Sequence, residues 1–437
     1  MLKMGCAKAN VTPSWPTYLR GYASRNRLTG EVEEPIEVGV VALEQNDRKS
    51  LIITVDNLGI EYSYIVRITR IIAERSGIAP ENILICCSHT HFAPGFSEYT
   101  VFVTGGELEV GGYPADDKYL EFWLSKVLPA VDCAIADLDV VELLQADIPV
   151  SNVAYNRRTV NKADGKVTTN YTYPANAEDY DITPIDQTMH VWKFMHGKAP
   201  KGVLVRFGCH PVTGGYNSYG ISADYPYYVK QYIQEKLGCP GFFMLGTAGD
   251  VVPFRRDGES RKDIGEILAC SIRLAERTFR KTTEFELKNQ QTMLKLYSDI
   301  LSGKTAGELA STTRSALEKS REKCEFDIDF YMADMAESMY KNFNGPEGEV
   351  PIQLLQLGDR VLVTLPFEVL TIIGEKIRAE FPDAAIVSCA GGYEGYLPCA
   401  ADFPKGGYET YTGTIWNQDT GDRVVEAAVE ALKNFKK

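Results

Sequence analysis

The sequence predicts an α/β protein with a mixed β-sheet core flanked by helices. Short apolar runs rich in β-branched residues alternate with amphipathic segments, which is the pattern of that class. Hydrophobic residues make up 44% of the 437 positions and charged residues 24%, proportions that exclude disordered and low-complexity chains. The predicted strands are 36–43, 51–56, 82–87, 188–195, 202–208, 241–245, 353–357, 360–365 and 384–389. The predicted helices are 63–76, 118–136, 225–237, 262–282, 369–380 and 421–435.

The whole chain, residues 1–437, is predicted to form a single domain, because no internal repeat and no Gly/Ser-rich or Pro-rich linker divides it. The segment 305–343 has few turn signals and many Ala, Glu, Lys and Met residues, so it predicts one or two amphipathic helices. This makes 300–345 a candidate helical subdomain or cap. The stretch 95–117 has no periodicity and several glycines, and long irregular loops of this kind are often functional.

Charge and composition restrict the partners and the cellular location. The chain has 46 basic and 59 acidic residues and a net charge of −13, which argues against a nucleic-acid binder because such proteins need a basic face. No run of about 18 apolar residues is present, so a transmembrane segment is not expected. The N-terminus lacks a signal-peptide pattern, which predicts a cytoplasmic protein, or a secreted one if a leader was removed. The ten cysteines are expected to be reduced thiols.

Predicted strands repeatedly end in a polar group that can serve catalysis or bind a ligand. In open α/β sheets, ligands bind outside the carboxyl ends of the strands. Five strand ends carry such groups, and together they predict one site assembled from distant segments. The groups are His89 and His91 after 82–87, His210 after 202–208, Asp250 after 241–245, Glu368 after 360–365, and the tyrosines of loop 391–396 after 384–389.

The His-x-His pair at His89 and His91 is the sharpest of these signals. Residues i and i+2 of an extended segment face the same side, so both imidazoles can line one cavity. Imidazole is a common zinc ligand, and a catalytic zinc site needs about three protein ligands and an open position. The alternative is a chance pair in a polar turn, but His210 at another strand end favours a metal. The two remaining histidines, His190 and His196, are expected to be structural or surface residues.

The other strand-end residues each have a simpler explanation when taken alone. Glu368 follows a proline at a predicted helix start, where an acidic side chain complements the helix dipole. Gly249 and Asp250 can form a turn with a helix cap, and 391–396 can be a plain Gly-rich connection. Only their joint occurrence at strand ends favours a functional site.

With these motifs in place, the chain resembles the catalytic domain of the neutral/alkaline (non-lysosomal) ceramidase family, zinc-dependent hydrolases of the N-acyl bond of ceramide. The resemblance covers most of the 437 residues, and Ser88-His-Thr-His91 followed by Ile221-Ser-Ala-Asp224 is its most specific part. The other matching elements are Gly5-Cys-Ala-Lys-Ala-Asn-Val-Thr-Pro13, Gly21-Tyr-Ala, Val55-Asp56, Asn156-Arg157, His210-Pro211, Gly249-Asp250 with Pro253, Pro366 with Glu368, Tyr393-Glu-Gly-Tyr396 and Tyr408-Glu409.

The resemblance implies a role for each matching residue, on a neutral-ceramidase-like α/β fold. It implies one zinc ion as cofactor, and a second divalent ion such as Mg²⁺ stays open. The implied zinc ligands are His89, His210, Glu368 and Tyr396, although Tyr393 in the same loop is an alternative to Tyr396. The implied catalytic residues are His91, Arg157 and Asp250, and the implied substrate-binding residues are Gly249, Val252 and Tyr393.

Three features depart from the family pattern. The family has a catalytic serine after its glycine-aspartate motif, and Val252 stands at that position. The usual Ser-Gly-Pro after His-Thr-His reads Phe92-Ala93-Pro94, which predicts a bulkier pocket wall. The C-terminal β-sandwich domain of full-length ceramidases is expected to be missing from this sequence.

The sequence therefore predicts a zinc-dependent hydrolase of an N-acyl amide bond that attacks with a metal-activated water. His91, Arg157 and Tyr396 are expected to stabilise the oxyanion, and Asp250 is the candidate general base. The substrate is expected to be a small-molecule or lipid amide, and the oligomeric state is left open. The alternatives are a zinc esterase or another hydrolase on the same site, or a non-catalytic ligand-binding relative that lost the motif serine at Val252.

Overall fold

The computed structural model describes residues 1–22, 25, 28–96, 117–282, 284–323 and 328–437. Residues 97–116 of the predicted functional loop 95–117 therefore lie outside the described residues. Within those residues the strands are, in chain order, β1 (Lys3–Asn10), β2 (Glu37–Gln45), β3 (Arg48–Val55), β4 (Ile83–Cys87), β5 (Asp139–Val140), β6 (Glu142–Pro149), β7 (Ala154–Asn156), β8 (Arg158–Asn161), β9 (Val167–Thr169), β10 (Tyr180–Asp181), β11 (Thr188–His196), β12 (Ala199–Phe207), β13 (Gly241–Leu245), β14 (Val251–Pro253), β15 (Arg280–Lys281), β16 (Asn289–Tyr297), β17 (Glu347–Leu357), β18 (Arg360–Thr364), β19 (Glu368–Val369), β20 (Ala384–Val387) and β21 (Tyr396–Leu397). The α-helices are α1 (Tyr62–Ser76), α2 (Asp117–Ala136), α3 (Tyr225–Leu237), α4 (Ser260–Leu274), α5 (Ala306–Lys323), α6 (Ile328–Phe343), α7 (Thr371–Glu380), α8 (Tyr408–Tyr411) and α9 (Thr420–Phe435).

Three mixed sheets form the body, and all three are built in the same way. Their strand orders are β4-β3-β2-β1-β5 (sheet one), β13-β12-β11-β6-β15 (sheet two) and β20-β18-β17-β16 (sheet three). In each sheet three antiparallel strands are followed by a crossover helix (α1, α3 or α7) and a strand that pairs in parallel with the third. A further helix, α2, α4 or α9, follows each unit in the chain. The mixed sheets and their flanking helices confirm the predicted α/β class.

The sheets pack on one another through apolar side chains. Met4 of sheet one, Phe242 of sheet two and Leu362 of sheet three belong to one buried cluster. Sheets one and two approach most closely at Gly39, where a Cβ atom would lie 2.5 Å from the Phe242 ring. A glycine is therefore required at this position, since any side chain would push the two sheets apart.

The carboxyl ends of the three parallel-paired strands meet at one point. The Ser388 amide, just after β20, donates to the Leu245 carbonyl at the end of β13 (2.9 Å). The Cys87 amide at the end of β4 donates to the Cys389 carbonyl (3.1 Å). The loops that leave these strands consequently share one region, which is where polar residues were predicted to gather.

The segment 306–343 forms two helices, α5 and α6, between strands β16 and β17 of sheet three. Leu309 of α5 and Met335 and Met339 of α6 pack in the same apolar cluster as Ile352 of β17. The segment 305–343, predicted to form one or two amphipathic helices, contains two, and their apolar faces cover sheet three.

One predicted helix was too long, and several strands were not predicted, among them β1, β6 and β16. The helix predicted over 262–282 ends at Leu274, because a 3-10 turn at Glu276–Thr278 follows and Arg280–Lys281 then pairs with β6. In β16 most residues are polar and only Leu294 and Leu296 are buried, so its sequence lacks the apolar run that marks a central strand.

Candidate metal centre and active site

The strand-end residues do converge. His89 and His91 follow β4 of sheet one, His210 follows β12 of sheet two, and Glu368 lies in β19, just after β18 of sheet three. His89 Nε2 lies 3.2 Å from Glu368 Oε2, and His210 Nε2 lies 3.0 Å from the same oxygen. Each of the three sheets thus contributes one side chain to a single cluster.

His89 is held in place by its backbone and by its other ring nitrogen. Its φ of 66° lies in the left-handed region, which is uncommon for a residue with a side chain and is often found at functional sites. Its amide donates to the Asn57 carbonyl (2.8 Å), and Nδ1 lies 2.7 Å from the Leu58 carbonyl oxygen. Because a carbonyl can only accept, Nδ1 donates to Leu58, and Nε2 is the nitrogen that faces Glu368.

His210 has the same arrangement. Its Nδ1 lies 2.5 Å from the Ala248 carbonyl oxygen and 3.1 Å from that of Val251. Burial is the main influence on this ring and lowers the pKa of His210 to about 4, so the imidazole is neutral at pH 7. Its Nε2 also faces Glu368.

Glu368 is buried and ionised. Burial alone would raise its pKa, but the neighbouring His89 and His210 outweigh burial and hold the pKa of Glu368 well below its usual range. Its second oxygen, Oε1, accepts a hydrogen bond from the Tyr393 hydroxyl (2.6 Å). The Glu368 amide donates to the Gly395 carbonyl (2.8 Å), which ties β19 to the loop that carries both tyrosines.

These residues fit a metal cation. Two imidazole nitrogens and a carboxylate oxygen are directed at one another over 3.0–3.2 Å, so these atoms can share a proton or hold a metal cation between them. The backbone carbonyls on both Nδ1 atoms are the supports that metal-binding histidines ordinarily have. Nitrogen and oxygen ligands of this kind suit zinc.

His91 adds a third imidazole beside the pair. One nitrogen of each ring of His89, His91 and His210 lies within 4.8 Å of the others, so a ligand set of three histidines is also geometrically available. His91 Nε2 is 3.3 Å from His89 Nε2, and its Nδ1 has no hydrogen-bond partner among the described residues. The ring lines a cavity. Burial, His89 and His210 hold the pKa of His91 well below its usual value, so this ring is neutral.

Tyr396 and Arg157 form the next layer. The Tyr396 hydroxyl accepts a hydrogen bond from Arg157 Nη2 (2.9 Å), and its ring stacks on His210 with an interplanar angle of 16°. Burial is the main influence on Tyr396 and raises its pKa well above the usual value, which keeps it a neutral phenol. Arg157 also donates through Nε to Glu409 Oε1 (2.8 Å).

Glu409 is a residue of this layer that was not singled out from the sequence. Its side chain is completely buried and pairs with both Arg157 and Arg158, each at 2.8 Å. Its place in the Tyr408-Glu409 match was the only signal, because its partners lie about 250 positions away in the chain.

The motif Gly249-Asp250 lies behind the histidines. Asp250 Oδ1 accepts hydrogen bonds from the amide and the hydroxyl of Thr371 (both 2.8 Å), and Oδ2 accepts one from Asn156 Nδ2 (2.7 Å). Its carbonyl accepts from the Arg157 amide (2.8 Å). With both carboxylate oxygens engaged in this way, Asp250 links β7, the Arg157 backbone and the first turn of α7.

Gly249 allows a close approach of two backbones. A Cβ atom at this position would lie 2.5 Å from the carbonyl oxygen of Glu368, and the Gly249 amide donates to the Val369 carbonyl (2.9 Å). This glycine thus sets how closely the loop after β13 packs against β19. Its neighbour Val252 is fully buried in a small apolar cluster with Tyr155 and Val212.

A cavity of about 390 Å³ opens onto the cluster, and His91, Glu368, Tyr393 and Tyr396 are among its lining residues. Its walls combine aromatic and aliphatic side chains with a few polar groups, which is usual for a small-molecule site. Met335 and Met339 of α6 line one side. Of the predicted substrate-binding residues, Tyr393 lines this cavity, whereas Gly249 and Val252 pack behind it.

No protein-family model matches the chain, and no curated protein matches it. Among solved structures it is similar to the neutral ceramidase from Pseudomonas aeruginosa, with a TM-score of 0.75, 18% sequence identity, and coverage of 99% of this chain and 75% of that one. It is equally similar to a ceramidase complexed with C2, with a TM-score of 0.75, 16% identity, and coverage of 100% and 75%. The predicted neutral-ceramidase-like fold is thereby confirmed.

Proposed function

We propose that this protein is a zinc-dependent hydrolase of N-acyl amide bonds. The observation that carries the proposal is the convergence of His89 Nε2, His210 Nε2 and Glu368 Oε2, with the Nδ1 atoms of both histidines held by backbone carbonyls. The likeness in fold to a neutral ceramidase supports an amide as the bond that is cleaved.

The residues that would hold the metal are His89, His210 and Glu368, with Tyr396 as the fourth. Tyr396 is preferred to Tyr393 because its hydroxyl accepts a hydrogen bond from Arg157, which would stabilise developing negative charge on that oxygen. Bound there, zinc would polarise the amide carbonyl and lower the pKa of a water molecule to roughly 7. The second divalent ion considered from the sequence stays a prediction.

The chain's own residues supply positioning and charge. Arg157 is held by Glu409 and directs Nη2 at Tyr396, so a positive charge is fixed on one side of the centre. His91 lines the cavity, and a substrate carbonyl is a partner of the right kind for a neutral imidazole that donates a hydrogen bond. A well-placed donor of this sort contributes roughly 3–4 kcal/mol to oxyanion stabilisation.

Proton transfer is assigned to His91 in this proposal rather than to Asp250. Both carboxylate oxygens of Asp250 already accept hydrogen bonds from Thr371 and Asn156, so Asp250 acts as a positioning residue. His91 is within 3.3 Å of His89 and lines the cavity, so it is near both the centre and the substrate.

The substrate class in this proposal is a small-molecule or lipid amide, with ceramide as one member. The cavity of about 390 Å³ lies at the lower end of the range for small-molecule sites. Among the helices of the described residues, none has the length and the apolar character needed to cross a bilayer. The cytoplasmic location predicted from the sequence stays a prediction.

We also propose that residues 1–437 act as one catalytic domain, in which the segment 300–345 serves as a cap. The supporting observation is that Met335 and Met339 of α6 line the cavity while their neighbours pack on sheet three.

Metal analysis and a substrate panel test this function. Purified protein is expected to contain one zinc per chain, which His89→Ala and His210→Ala each remove, whereas His190→Ala retains it because His190 pairs with Asp147 away from the centre. Zinc-loaded protein is then tested against matched N-acyl amines and esters. Turnover of esters alone would favour the esterase alternative, and zinc binding without any turnover would favour a ligand-binding relative. Absence of stoichiometric zinc would contradict the proposal.

A further inference from the structure

Arg25 is a buried cation at the wall of the cavity. Arg25 is only 2% exposed, and it is one of the residues that line the cavity beside the metal centre. Burying a guanidinium removes its hydration, which is costly unless a counter-ion replaces the lost water. The groups around Arg25 therefore indicate what kind of ligand its charge would bind.

No carboxylate of the described residues pairs with Arg25. Its Nη1 donates to the carbonyls of Arg20 and His91, and its Nη2 donates to the carbonyl of Ser218 (2.9 Å). The other groups around it are aromatic rings: the guanidinium carbon lies 4.8 Å from the centre of the Tyr22 ring and 5.0 Å from that of Phe92. These contacts orient the guanidinium, and none of these described partners carries a negative charge to compensate it.

The donor Nε of Arg25 is buried and has no partner among the described residues. In a guanidinium, Nε and Nη2 lie on one edge, and their N–H groups form the fork that binds a carboxylate with two parallel hydrogen bonds. On this edge Nε is without a partner among the described residues, and Nη2 has two hydrogens, of which the Ser218 carbonyl takes one.

Arg157 beside the metal centre differs in this respect, because the buried Glu409 neutralises it at 2.8 Å. Arg25 is the cation whose partners are carbonyls and rings, and its Nη1 contact with His91 puts it next to the metal centre.

We propose that Arg25 forms a subsite for an anionic group of the substrate, so that the preferred substrates are N-acyl amides whose amine portion carries a carboxylate close to the amide nitrogen. This inference rests on the proposed function, because it names the substrate class of the same site. Such a subsite would bind any small oxyanion. A sulfonate is therefore the alternative to the carboxylate, and the experiment has to distinguish the two.

Matched substrates test the inference through specificity. The pair N-hexanoylglycine and N-hexanoylglycinamide differs in one charge, and N-hexanoyltaurine replaces the carboxylate by a sulfonate. The zinc-loaded wild-type protein is expected to show a kcat/KM at least tenfold higher for N-hexanoylglycine than for the amide, mainly through KM. Arg25→Gln is expected to lose this preference, because its kcat/KM falls at least tenfold more for N-hexanoylglycine than for N-hexanoylglycinamide, and Arg25→Lys is expected to recover part of it.

Arg256→Gln is the matched control. Arg256 donates to the hydroxyl of Tyr22, the same ring that Arg25 contacts, but it is not among the residues that line the cavity. This variant is expected to keep the preference for the anion. Thermal unfolding of all three variants shows whether each remains folded.

Calorimetric titration separates this inference from the proposed function. Metal-free wild-type protein is titrated with N-hexanoylglycine, with its amide and with N-hexanoyltaurine. The subsite is supported if an anionic ligand binds more tightly than the neutral amide and Arg25→Gln abolishes this difference. If no substrate is turned over in that case, only the hydrolase proposal fails. Tighter binding of the taurine conjugate than of the glycine conjugate would assign the subsite to a sulfonate. Equal affinity for charged and neutral ligands, or equal loss of both in Arg25→Gln, would overturn the inference and leave Arg25 as a structural residue.

Discussion

At the scale of single residues, Val252 is explained by packing. Its side chain is fully buried with Tyr155 and Val212, and Tyr22 packs on the same cluster. A hydroxyl at this position would have to find a partner in an apolar surrounding. Position 252 is not among the residues that line the cavity, so a serine side chain here would not face the cavity.

We expect Val252→Ser to lower the free energy of unfolding by about 1–3 kcal/mol, because it removes buried methyl groups and buries a hydroxyl. We expect no gain in hydrolysis of ceramide. Urea unfolding and a ceramide assay measure the two effects, and Val252→Ala is the control for lost volume without a hydroxyl. New ceramide turnover in the serine variant would show that the hydroxyl reaches the substrate after all.

Glu409 shows how much a single buried charge supports. It is 0% exposed and neutralises two arginines that are themselves 4% and 5% exposed, Arg157 and Arg158. We expect Glu409→Gln to lower the free energy of unfolding by about 3–5 kcal/mol, because it removes the carboxylate that pairs with the buried Arg157, whereas Arg158 keeps Asp402 at 3.8 Å.

The control for Glu409 is an exposed pair of the same type. Glu142 pairs with Lys281, and these side chains are 55% and 52% exposed. Water and salt screen this pair, so Glu142→Gln is expected to change the stability by less than about 1 kcal/mol. Equal effects of the two substitutions in urea unfolding would show that Arg157 and Arg158 do not depend on Glu409.

At the scale of secondary-structure elements, Gly249 controls the contact between the loop after β13 and strand β19. A methyl group would meet the Glu368 carbonyl oxygen at 2.5 Å, and this atom is backbone and cannot turn away. We expect Gly249→Ala to cost about 1–3 kcal/mol of stability and to weaken zinc binding, since β19 carries Glu368. Unfolding curves and zinc titration measure both effects.

Gly307 in α5 is the matched control for Gly249, because a Cβ atom there would meet nothing within 4 Å. Alanine in a helix is favoured over glycine by up to about 1 kcal/mol, so Gly307→Ala is expected to be neutral or stabilising. Unchanged zinc affinity in Gly249→Ala would contradict the view that this close approach positions Glu368.

Sheets two and three are tied together by Asp147 of β6, which accepts a hydrogen bond from Arg360 of β18 and lies 2.7 Å from His190 Nδ1 of β11. Burial acts to raise the pKa of Asp147, but His190 and Arg360 outweigh it and lower the pKa to about 2. A carboxyl group with a depressed folded pKa stabilises the protein above its unfolded pKa of about 4, and this contribution is lost as the pH falls towards 2.

We therefore expect the wild-type protein to exceed Asp147→Asn in unfolding free energy by about 1–2 kcal/mol at pH 6, a value reduced for the partial exposure of the carboxylate. The gap is expected to narrow steadily between pH 4 and pH 3. Urea unfolding of both proteins across this range measures it. A gap that is constant or that widens on acidification would show that the ionised form of Asp147 is not the stabilising one.

The elements also show which features the sequence could predict. His89, His91, His210 and Glu368 were placed correctly at strand ends because an apolar run followed by a polar residue is a local pattern. Strand β16 was missed because its partner β17 supplies the burial that its own residues do not signal. Glu409 pairs with Arg157, which lies far away in the chain, and no local sequence pattern records this contact. The same holds for Arg25, whose lack of a carboxylate partner among the described residues is visible only in the folded chain.

At the scale of the whole molecule, three sheets of the same construction meet at their strand ends, although their sequences show no repeat. The insertions that differ between the units carry the distinct parts of the site. The insertion between β6 and β11 brings Arg157, and the insertion between β16 and β17 brings the α6 side chains of the cavity. The shared core therefore fixes the positions of the three proposed zinc ligands. The insertions add the other side chains of the site, a charged one from Arg157 and apolar ones from α6.

Because His89, His210 and Glu368 come from sheets one, two and three, a metal at this point would link all three units. Zinc that binds only the folded state adds roughly 4 kcal/mol of stability at a free concentration a thousandfold above its Kd. We expect removal of zinc by a chelator to lower the Tm accordingly and its return to restore it. In His89→Ala the Tm is expected to be insensitive to zinc.

Hydrogen exchange then shows whether the link reaches every unit. Zinc is expected to slow amide exchange together at the ends of β4, β12 and β18, because each end leads directly to one ligand, while α5, which carries none, is expected to exchange at the same rate with or without the metal. A protected region confined to one sheet would mean that the metal stabilises a local loop rather than the junction. We expect stabilisation of the whole junction, because the ends of β4, β13 and β20 are already joined by the hydrogen bonds of Ser388 and Cys87 without a metal.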